Sequence, residues 1–480
     1  MLVSLLLCLL VSLVKPGDGT DSGFYAQPAA APEERLMNDV KINIWNPEME
    51  CMSRRDTEAL QLERLKALVD YCDRNVAFYH KRLSEAGVTA DKIKTLSDVQ
   101  YIPYTTKADL RDTYPFGMFS VPQKQLVRIH ASSGTTGNPT VVGYTREDMD
   151  NWSEQVARQA VAAGATDETV VQICFGYGMF TGALGLHYGL EKIGATVVPT
   201  SSGNTVKQLK FMRDFQTDAI VATPSYCLYL AEAAHESSDE FPMSSYNVRL
   251  GLLGSEGCTP EMRAQIEERW GNGFFVTDNY GMSELNGPGM SGECIYRDGL
   301  HICEDHFLCE IIDPKTGAPL DKGETGELVV TNLTKRGLPM LRYRTKDITY
   351  INYEPCACGR TSARMHKVIG RSDDMLKIRG VNVFPSQIES ALIGIRQISP
   401  HYQLVVTREG YADALEVRVE LVDGSLLTRY GELEALQRGI HNKIKAILGI
   451  EIKVSLVEPK TIERFVGKAQ RVVDLRKEGK

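Results

Sequence analysis

The sequence lacks an excess of positive charge. Lysine and arginine total 54 against 62 acidic residues, so the formal net charge is −8 at pH 7. Proteins whose main task is to bind nucleic acid without sequence preference need a basic surface that displaces counterions from phosphates. The charge balance therefore argues against that class of protein. A local basic groove is still compatible with a net charge of −8.

Long apolar runs are also scarce. Hydrophobic residues make up 43% and charged residues 24% of the 480 residues, which excludes wholesale disorder and a polytopic membrane protein. Residues 2–14 form an apolar run with the length of a signal-peptide core, too short to span a membrane comfortably, and no basic residue precedes it. We treat residues 1–43 as an N-terminal extension, either a signal-like leader or a misassigned start.

The cysteines lack the pattern of a disulfide framework. There are 11 of them, an odd number scattered through a long chain, whereas disulfide-rich secreted domains are short and carry even counts. This distribution favours a reducing compartment, with some thiols free to bind metal.

Patterning after residue 44 predicts an α/β fold. Leucines at helical spacing predict an amphipathic helix over residues 56–71. Short apolar strands then alternate with helices, which is typical of a mainly parallel sheet covered on both faces. The predicted strands occupy residues 169–174, 195–200, 219–222 and 249–253.

Strands separated by turns beyond residue 300 predict a β-rich subdomain. The polar break Gly370-Arg-Ser-Asp-Asp374 precedes a segment of strands and one helix, and we place a domain boundary there. We therefore predict a large domain at 44–372, built of two α/β subdomains and a β-rich subdomain, and a small α+β C-terminal domain at 373–480.

The densest motif is Ser132-Ser-Gly-Thr-Thr-Gly137. Its glycines let the backbone approach a ligand, and its hydroxyl and N–H groups suit phosphate oxygens. It is not a Walker A loop, because the Gly-Lys-[Ser/Thr] ending is absent and extended segments at 126–130 and 140–145 flank it. We predict a hairpin loop that cradles phosphates, with an ordinary surface turn as the alternative.

This loop resembles the phosphate loop of the adenylate-forming acyl-CoA synthetase superfamily, and Val141-Val-Gly-Tyr-Thr145 after it resembles phenylacetate–CoA ligases in particular. The resemblance runs from about Ile44 to the C-terminus, because further motifs occur in the order of that family. They are Gly254-Ser-Glu256, Asn279-Tyr-Gly-Met-Ser-Glu284, Arg342-Tyr-Arg-Thr-Lys-Asp347, Gly370-Arg-Ser-Asp-Asp374, Arg379-Gly-Val-Asn-Val-Phe-Pro-Ser386 and Gly467-Lys-Ala-Gln-Arg471.

The resemblance implies ATP or AMP, Mg²⁺ and coenzyme A as ligands. Asp347 is implied to accept both ribose hydroxyls, with an ion pair to Arg342 or Arg344 as the alternative, and Glu256 and Tyr280 are implied to lie beside the adenine. The nucleotide- and CoA-binding residues implied are Ser132, Ser133, Gly134, Thr135, Thr136, Gly137, Ser255, Glu256, Asn279, Tyr280, Gly281, Met282, Ser283, Asp347, Arg371, Arg379 and Gly380.

The resemblance also implies the catalytic groups. Lys468 is the lysine that reaches the α-phosphate and the carboxylate, with a solvated tail lysine as the alternative. Glu284 is the Mg²⁺ ligand, a role that suits a hard carboxylate oxygen, with a plain helix-start glutamate as the alternative. Asp373 is the hinge about which the small domain turns between adenylation and thioester formation.

Aromatic residues between 175 and 185 predict an acyl pocket. The glycines there miss the G-x-G-x-x-G spacing by one, so a dinucleotide site is disfavoured. By resemblance, Phe175, Tyr177 and Phe180 form walls and Gly185 leaves space for a flat aryl acid. Core packing under the sheet is the alternative.

Cys356-Ala-Cys358 predicts a structural zinc site, because a Cys-x-Cys pair can hold one tetrahedral Zn²⁺ when two more ligands arrive from elsewhere. We expect Cys258 and His306 to complete it, since the resemblance points to those positions. Rival ligands are Cys303, Cys309 and His301, and buried thiols without metal are the alternative.

Two departures from the family pattern concern ATP. Asn138 stands where the phosphate loop commonly has lysine, which predicts weaker ATP binding without loss of activity, and Phe465-Val466 precede Gly467 in place of small or acidic residues. The resemblance implies an ATP-dependent, AMP-forming ligase that joins an aryl acid, phenylacetate above all, to CoA. It also implies a cytoplasmic protein, because ATP and CoA are cytoplasmic, and a homodimer.

Alternative functions differ in the acceptor or in activity. The acyl or adenylyl group could pass to a carrier protein or to a deazaflavin-type cofactor. A catalytically silent nucleotide-binding relative is the third alternative, suggested by Asn138 and by the altered context of Lys468.

Overall fold

The computed structural model describes residues 42–132, 138–238, 241–373, 376–378, 381–409, 412–463 and 471–477. The chain separates into the units Met1–Ile42 and Asn43–Lys480, and the elements below belong to the second. No helix among the described residues is long and apolar enough to cross a membrane. The predicted site residues outside the described part of the chain are Ser133, Gly134, Thr135, Thr136, Gly137, Arg379, Gly380 and Lys468.

The helices begin at sequence signals that are readable locally. The predicted helix over 56–71 extends over Arg54–Asn75, because Ser53 accepts a hydrogen bond from the N–H of Asp56 as its N-cap, and Leu65 and Leu68 are buried on its inner face. The α-helices are α1 (Pro47–Glu50), α2 (Arg54–Asn75), α3 (Ala77–Ala86), α4 (Lys107–Asp112), α5 (Arg146–Ala162), α6 (Gly182–Lys192), α7 (Thr205–Asp214), α8 (Pro224–Glu236), α9 (Pro260–Trp270), α10 (Pro385–Leu392) and α11 (Tyr430–Leu448).

A hairpin carries the predicted phosphate loop. Strands β1 (Arg128–Ala131) and β2 (Val141–Tyr144) pair antiparallel, with Ala131 opposite Val141. The N–H of Ser132 donates to the carbonyl of Thr140 at 2.9 Å and continues the ladder. The predicted strand–loop–strand arrangement is therefore confirmed.

The largest sheet has nine strands among the described residues, in the order β13-β14-β9-β8-β7-β6-β5-β3-β4. Five of these strands, from β7 to β4, pair in parallel, as the alternation of strands and helices predicts. The other four pair antiparallel at one side. The strands are β3 (Val170–Ile173), β4 (Thr196–Val198), β5 (Ala219–Ala222), β6 (Leu250–Gly254), β7 (Phe275–Met282), β8 (Gly287–Glu293), β9 (Leu300–Ile302), β13 (Ile351–Asn352) and β14 (Arg364–Met365).

Three further sheets confirm the predicted strand-rich segments after residue 300. An antiparallel sheet has the order β10-β11-β12-β15, with strands Phe307–Ile312, Gly326–Asn332, Met340–Thr349 and Gly370–Arg371. A small hairpin joins β16 (Leu376–Ile378) to β17 (Val381–Val383). The last sheet has the order β20-β19-β18-β21, with strands Lys453–Val457, Ala412–Leu421, Ile398–Glu409 and Val472–Asp474.

The C-terminal segment has a hydrophobic core of its own. Buried residues from α10, α11 and the last sheet, among them Ile388, Leu404, Val417 and Ile444, form one cluster. The parallel sheet has separate clusters on its two faces. The chain is thus of the α/β class, and the boundary at residue 373 stays a prediction.

Candidate active site

Two predicted motifs lie side by side at the carboxyl ends of neighbouring parallel strands. Ser255 and Glu256 directly follow β6, and Gly281 lies near the end of β7. Ser255 has a positive φ of 74°, which is uncommon for a residue other than glycine and occurs at sites where function constrains the backbone. Ligands of open α/β sheets bind in the crevice outside such strand ends.

Gly281 shows why this motif needs a glycine. A Cβ at this position would lie 1.9 Å from the carbonyl oxygen of Gly287 on β8. This distance is a steric clash, so no residue with a side chain fits here. The bulge in the pairing of β7 with β8 falls at the same place, between Tyr280 and Gly281. The close approach of β7 to β8 at this bulge therefore requires a residue without a side chain.

Glu256 connects the strand ends to helix α8. One of its carboxylate oxygens accepts a hydrogen bond of 2.6 Å from the N–H of Ser225, in the first turn of that helix. Arg471, three residues after Lys468, approaches the same place, with Nη2 3.4 Å from the hydroxyl of Ser225 and 3.2 Å from the carboxylate of Glu389. The end of the motif that contains Lys468 therefore lies beside Glu256.

Glu284 is buried in a short turn after β7. The hydroxyl of Tyr343 donates to its Oε1 at 3.2 Å, and Nζ of Lys107 is 3.7 Å from the same oxygen. Among the described residues no hydrogen-bond donor contacts Oε2, so this oxygen is available to a cation. Glu284 also lies in the first turn of a short 3-10 helix, Ser283–Leu285, so its role as a magnesium ligand stays a prediction.

Tyr280, Asp347 and Arg371 form a connected chain of polar groups. Oδ2 of Asp347 accepts from the hydroxyl of Tyr280 at 2.5 Å, and Oδ1 accepts from Nη1 of Arg371 at 2.8 Å. Burial raises the pKa of Asp347, and the charge of Arg371 opposes that shift. Each carboxylate oxygen keeps a second lone pair, so hydroxyl groups can still bind there.

The alternative partners of Asp347 are excluded. Arg342 pairs with Glu310 at 2.7 Å and Arg344 pairs with Glu327 at 2.7 Å, on the other face of the strand. Asp347 instead lies opposite Arg371 in the register of β12 and β15. Arg371 also donates to both oxygens of the predicted hinge residue, Asp373, at 3.0 Å each.

Lys335 is a buried cation that the sequence reasoning missed. Its Nζ lies 4.2 Å from the ring centroid of Tyr144 on the hairpin, and it has no hydrogen-bond partner among the described residues. Burial lowers the pKa of Lys335 to about 8, while the carboxylates of Asp148 and Glu284 oppose the shift. No local signal in the sequence indicates it, because Lys335 stands in the polar segment Thr331-Asn-Leu-Thr-Lys-Arg-Gly337.

The predicted acyl-pocket aromatics lie in different surroundings. Phe175 is buried in the core and Phe180 is 44% exposed, and both rings lie beside Gly182. The hydroxyl of Tyr177 is 3.0 Å from Nδ1 of His187. The structure therefore brings Phe175 and Phe180 to one place and directs Tyr177 towards helix α6.

The prediction that Gly185 leaves space for the acyl group is wrong. A Cβ at Gly185 would lie 2.3 Å from Cζ2 of Trp152 and 2.9 Å from Cγ of Pro288. The absent side chain thus admits the indole of Trp152, whose Nε1 donates to the carbonyl of Pro288 at 2.6 Å. Gly185 is a contact point between helices α5 and α6.

We expect Gly185→Ala to lower the midpoint of thermal unfolding, because overpacking of a dense core costs about 1–3 kcal/mol. The matched control is Gly439→Ala, in the interior of α11, where a Cβ would meet nothing within 4 Å. That control should gain about 0.5–1 kcal/mol from helix propensity. Equal midpoints for the two variants, measured by calorimetry, would contradict the packing assigned to Gly185.

The prediction that Cys258 and His306 are zinc ligands is also wrong. Cys258 is buried in the core on one face of the parallel sheet, away from Cys356 and Cys358. Both ring nitrogens of His306 are occupied, Nδ1 by the hydroxyl of Thr334 at 2.8 Å and Nε2 by the carboxylate of Asp305 at 3.3 Å.

The residues that do lie beside Cys356 and Cys358 are Cys294 and His301. The ligand atoms of these four side chains lie within 4.8 Å of one another, and all four residues are buried. His301 was a rival candidate in the sequence, whereas Cys294 was missed. The signal available for Cys294 was the spacing Cys294-x₆-His301.

Comparison with family models gives two matches. A model described as AMP-binding enzyme matches residues 57–334, and a model of the AMP-binding enzyme C-terminal domain matches residues 380–476. The phenylacetate-coenzyme A ligase of Thermus thermophilus is 46% identical over 448 residues, covering 90% of this chain and 100% of the relative. That of Escherichia coli is 48% identical over 429 residues, covering 89% and 97%.

Solved structures include a similar enzyme in two states. The 2-hydroxyisobutyryl-CoA ligase in the postadenylation state, in complex with R3-HIB-AMP, has a TM-score of 0.84 and 27% identity, covering 95% of this chain and 94% of that one. The same ligase in complex with 2-HIB-AMP and CoA, in the thioesterification state, has a TM-score of 0.65 and 28% identity, covering 90% and 92%. The arrangement of this chain is thus more similar to the postadenylation state.

Proposed function

Because the chain belongs to the phenylacetate-coenzyme A ligase family of AMP-binding enzymes, we propose that it joins phenylacetate, or a close aryl acid, to the thiol of CoA and cleaves ATP to AMP and pyrophosphate. The observation that carries the proposal is the polar chain Tyr280–Asp347–Arg371 next to the buried Glu284. Around one crevice it supplies acceptors for ribose hydroxyls and a carboxylate for a cation.

The reaction has two steps that share one intermediate. In the first, a carboxylate oxygen of the acid attacks the α-phosphorus of ATP, and the bond to the bridging oxygen breaks with release of pyrophosphate. In the second, the sulfur of CoA attacks the acyl carbonyl of the aryl-acyl adenylate, the thiol loses its proton and AMP leaves. Both steps need the nucleotide held at the same place, because the adenylyl group passes from ATP to the acid in the first step and leaves as AMP in the second.

Glu284 is the residue that would hold Mg²⁺. Its Oε2 is without a hydrogen-bond donor among the described residues, and a hard carboxylate oxygen suits this ion. Mg²⁺ would neutralise phosphate charge as pyrophosphate departs. Tyr343 holds the orientation of the carboxylate through its hydrogen bond to Oε1.

Asp347 would bind the ribose. Its two oxygens are held in place by Tyr280 and Arg371, so they need little reordering when the nucleotide arrives. Tyr280 would present its ring to the adenine while its hydroxyl stays bonded to Asp347. Ser132 and the rest of the hairpin loop would hold the phosphates.

Lys468 would complete adenylation. The greater likeness to a postadenylation state and the place of Arg471 beside Ser225 support a C-terminal segment turned towards the nucleotide. Asp373, bonded to Arg371, would then be the point from which that segment turns so that Arg379 and Gly380 border the path of CoA. The thioester step would follow this rotation.

The first experiment measures AMP release and acyl-CoA formation across a panel of aryl and alkyl acids with ATP, Mg²⁺ and CoA. We expect CoA-dependent turnover with phenylacetate or a close aryl acid, detected as the thioester by mass spectrometry. Adenylation without any thioester would redirect the assignment to a carrier protein or a deazaflavin-type acceptor. The absence of pyrophosphate exchange with every acid would favour the silent nucleotide-binding relative.

The setting of the reaction follows from its substrates. ATP and CoA are cytoplasmic, so we place the protein in the cytoplasm. The homodimer stays a prediction, which light scattering of the purified chain checks directly.

A further inference from the structure

Three buried thiols and one imidazole converge at the antiparallel side of the nine-stranded sheet. Cys294 directly follows β8 and His301 lies in β9, while Cys356 and Cys358 lie in the loop between β13 and β14. All four are buried, and their ligand atoms lie within 4.8 Å of one another. None of these residues takes part in the ligase reaction proposed above.

The distances between the ligand atoms fit one tetrahedral zinc ion. With Zn–S near 2.3 Å and Zn–N near 2.05 Å, a tetrahedron places two sulfurs about 3.8 Å apart and a sulfur and a nitrogen about 3.6 Å apart. Sγ of Cys294 and Sγ of Cys356 are 3.8 Å apart, and Sγ of Cys358 is 3.4 Å from Nε2 of His301. The thiols are therefore not joined as a disulfide, which needs a separation of about 2.05 Å.

The second ring nitrogen of His301 is held in the way that zinc-binding histidines require. Nδ1 is 3.0 Å from the hydroxyl of Ser362, which fixes the orientation of the ring and directs Nε2 towards the thiols. Partners of this kind set the tautomer of metal-binding histidines in proteins. His306, by contrast, has both nitrogens occupied by other groups.

We propose that Cys294, His301, Cys356 and Cys358 bind one structural zinc ion. Three thiolates and one imidazole form a soft donor set for which Zn²⁺ is well suited, and hard cations such as Mg²⁺ are not. Four protein ligands leave no open position for water or substrate, so the ion stabilises the fold and takes no part in the chemistry.

The zinc ion would fasten residues 43–52 to the sheet. The loop that carries Cys356 and Cys358 continues into Arg360 and Thr361. Arg360 donates to the carbonyl of Asn43 at 2.8 Å, and Thr361 donates from its N–H to the carbonyl of Glu50 at 3.0 Å. Loss of the ion would therefore loosen residues 43–52 together with the loop over residues 353–363.

The test measures zinc by mass spectrometry in the full chain, purified without chelator. We expect about one zinc per chain in the wild type, loss of at least nine-tenths of it in His301→Ala, and recovery in His301→Cys, which restores four ligands. Cys258→Ser and Cys303→Ser are matched controls, because both remove a buried thiol outside the cluster and should keep the zinc. A wild type that holds no zinc and takes up none when supplied, or a His301→Ala variant that keeps it, would overturn the proposal.

A second measurement uses the wild-type chain, so it does not depend on whether a variant folds. Cobalt exchanged into the wild-type chain should give the intense visible bands of a tetrahedral ion, together with thiolate-to-metal charge-transfer bands. Weak bands typical of six-coordinate cobalt would overturn the assignment. Zinc removal should also raise amide hydrogen exchange in residues 43–52, and unchanged exchange there would refute the fastening role.

Discussion

Replacement of Lys468 by alanine is expected to lower the rate of ATP–pyrophosphate exchange with phenylacetate by at least about 100-fold, or about 2.7 kcal/mol of transition-state stabilisation. The reason is electrostatic. Negative charge gathers on the oxygens around the α-phosphorus as the carboxylate attacks, and one ammonium group placed there offsets it. Arg471, three residues later in the same motif, lies beside Ser225.

The two half-reactions distinguish this role from a loss of folding. Thioester formation from chemically prepared phenylacetyl adenylate should survive in Lys468→Ala. In this second step no carboxylate attacks the α-phosphorus, so the charge that Lys468 would offset does not develop. Lys460→Ala is the matched control, since Lys460 is 80% exposed in the same segment and should leave both rates unchanged. Equal losses in both half-reactions would contradict a role confined to adenylation.

Glu284→Gln is expected to lower kcat/KM for ATP by at least about tenfold, or about 1.4 kcal/mol, and to raise the Mg²⁺ concentration needed for half-maximal rate. Glutamine keeps the size of the side chain and can accept the hydrogen bond from Tyr343, but it lacks the negative charge that attracts the cation. A Mg²⁺ titration of the initial rate at fixed ATP measures both effects.

The comparison for Glu284→Gln is Glu354→Gln, which removes a carboxylate on an exposed turn. That control should retain the Mg²⁺ dependence of the wild type. If Glu284→Gln showed an unchanged Mg²⁺ requirement with a normal unfolding midpoint, Glu284 would not be the magnesium ligand.

Much of the fold could be predicted because its signals are local. The strand Ala219–Ala222 lies where the apolar run predicted it, and the predicted helix over 56–71 lies within Arg54–Asn75. The hairpin around the phosphate loop could be predicted for the same reason, since extended segments on both sides of a glycine-rich loop leave few other arrangements. Periodicity and turn chemistry act over a few residues, so one sequence suffices to identify them.

The Cys/His cluster could be predicted only in part: Cys356 and Cys358 were identified, His301 was only a rival ligand, and Cys294 was missed. The reason is that strand pairing over long separations decides which side chains meet. His301 lies opposite Arg364 in the register of β9 and β14, which brings it next to a loop more than fifty residues away. No local pattern distinguishes His301 from His306, five residues later. Only the pairing shows that one reaches the thiols and the other does not.

The prediction that Gly185 leaves space for the acyl group was wrong for a related reason. A glycine is consistent with open space or with a close neighbour, and the choice depends on another element of the structure. Here helix α5 places Trp152 against it. A binding pocket inferred from glycines in a sequence needs the packing partner before its volume can be assigned.

If Asp347 binds the ribose and Asp373 is the hinge, as proposed above, the bond between Arg371 and Asp347 links the energy of nucleotide binding to the orientation of the C-terminal segment. Arg371 donates to the carboxylate of Asp347 through one nitrogen and to the carboxylate of Asp373 through two others. By thermodynamic reciprocity, whichever orientation tightens the grip on AMP is itself favoured by AMP to the same degree. Departure of AMP would therefore also reset the hinge, so that each turnover ends with the chain returned to the orientation that admits ATP.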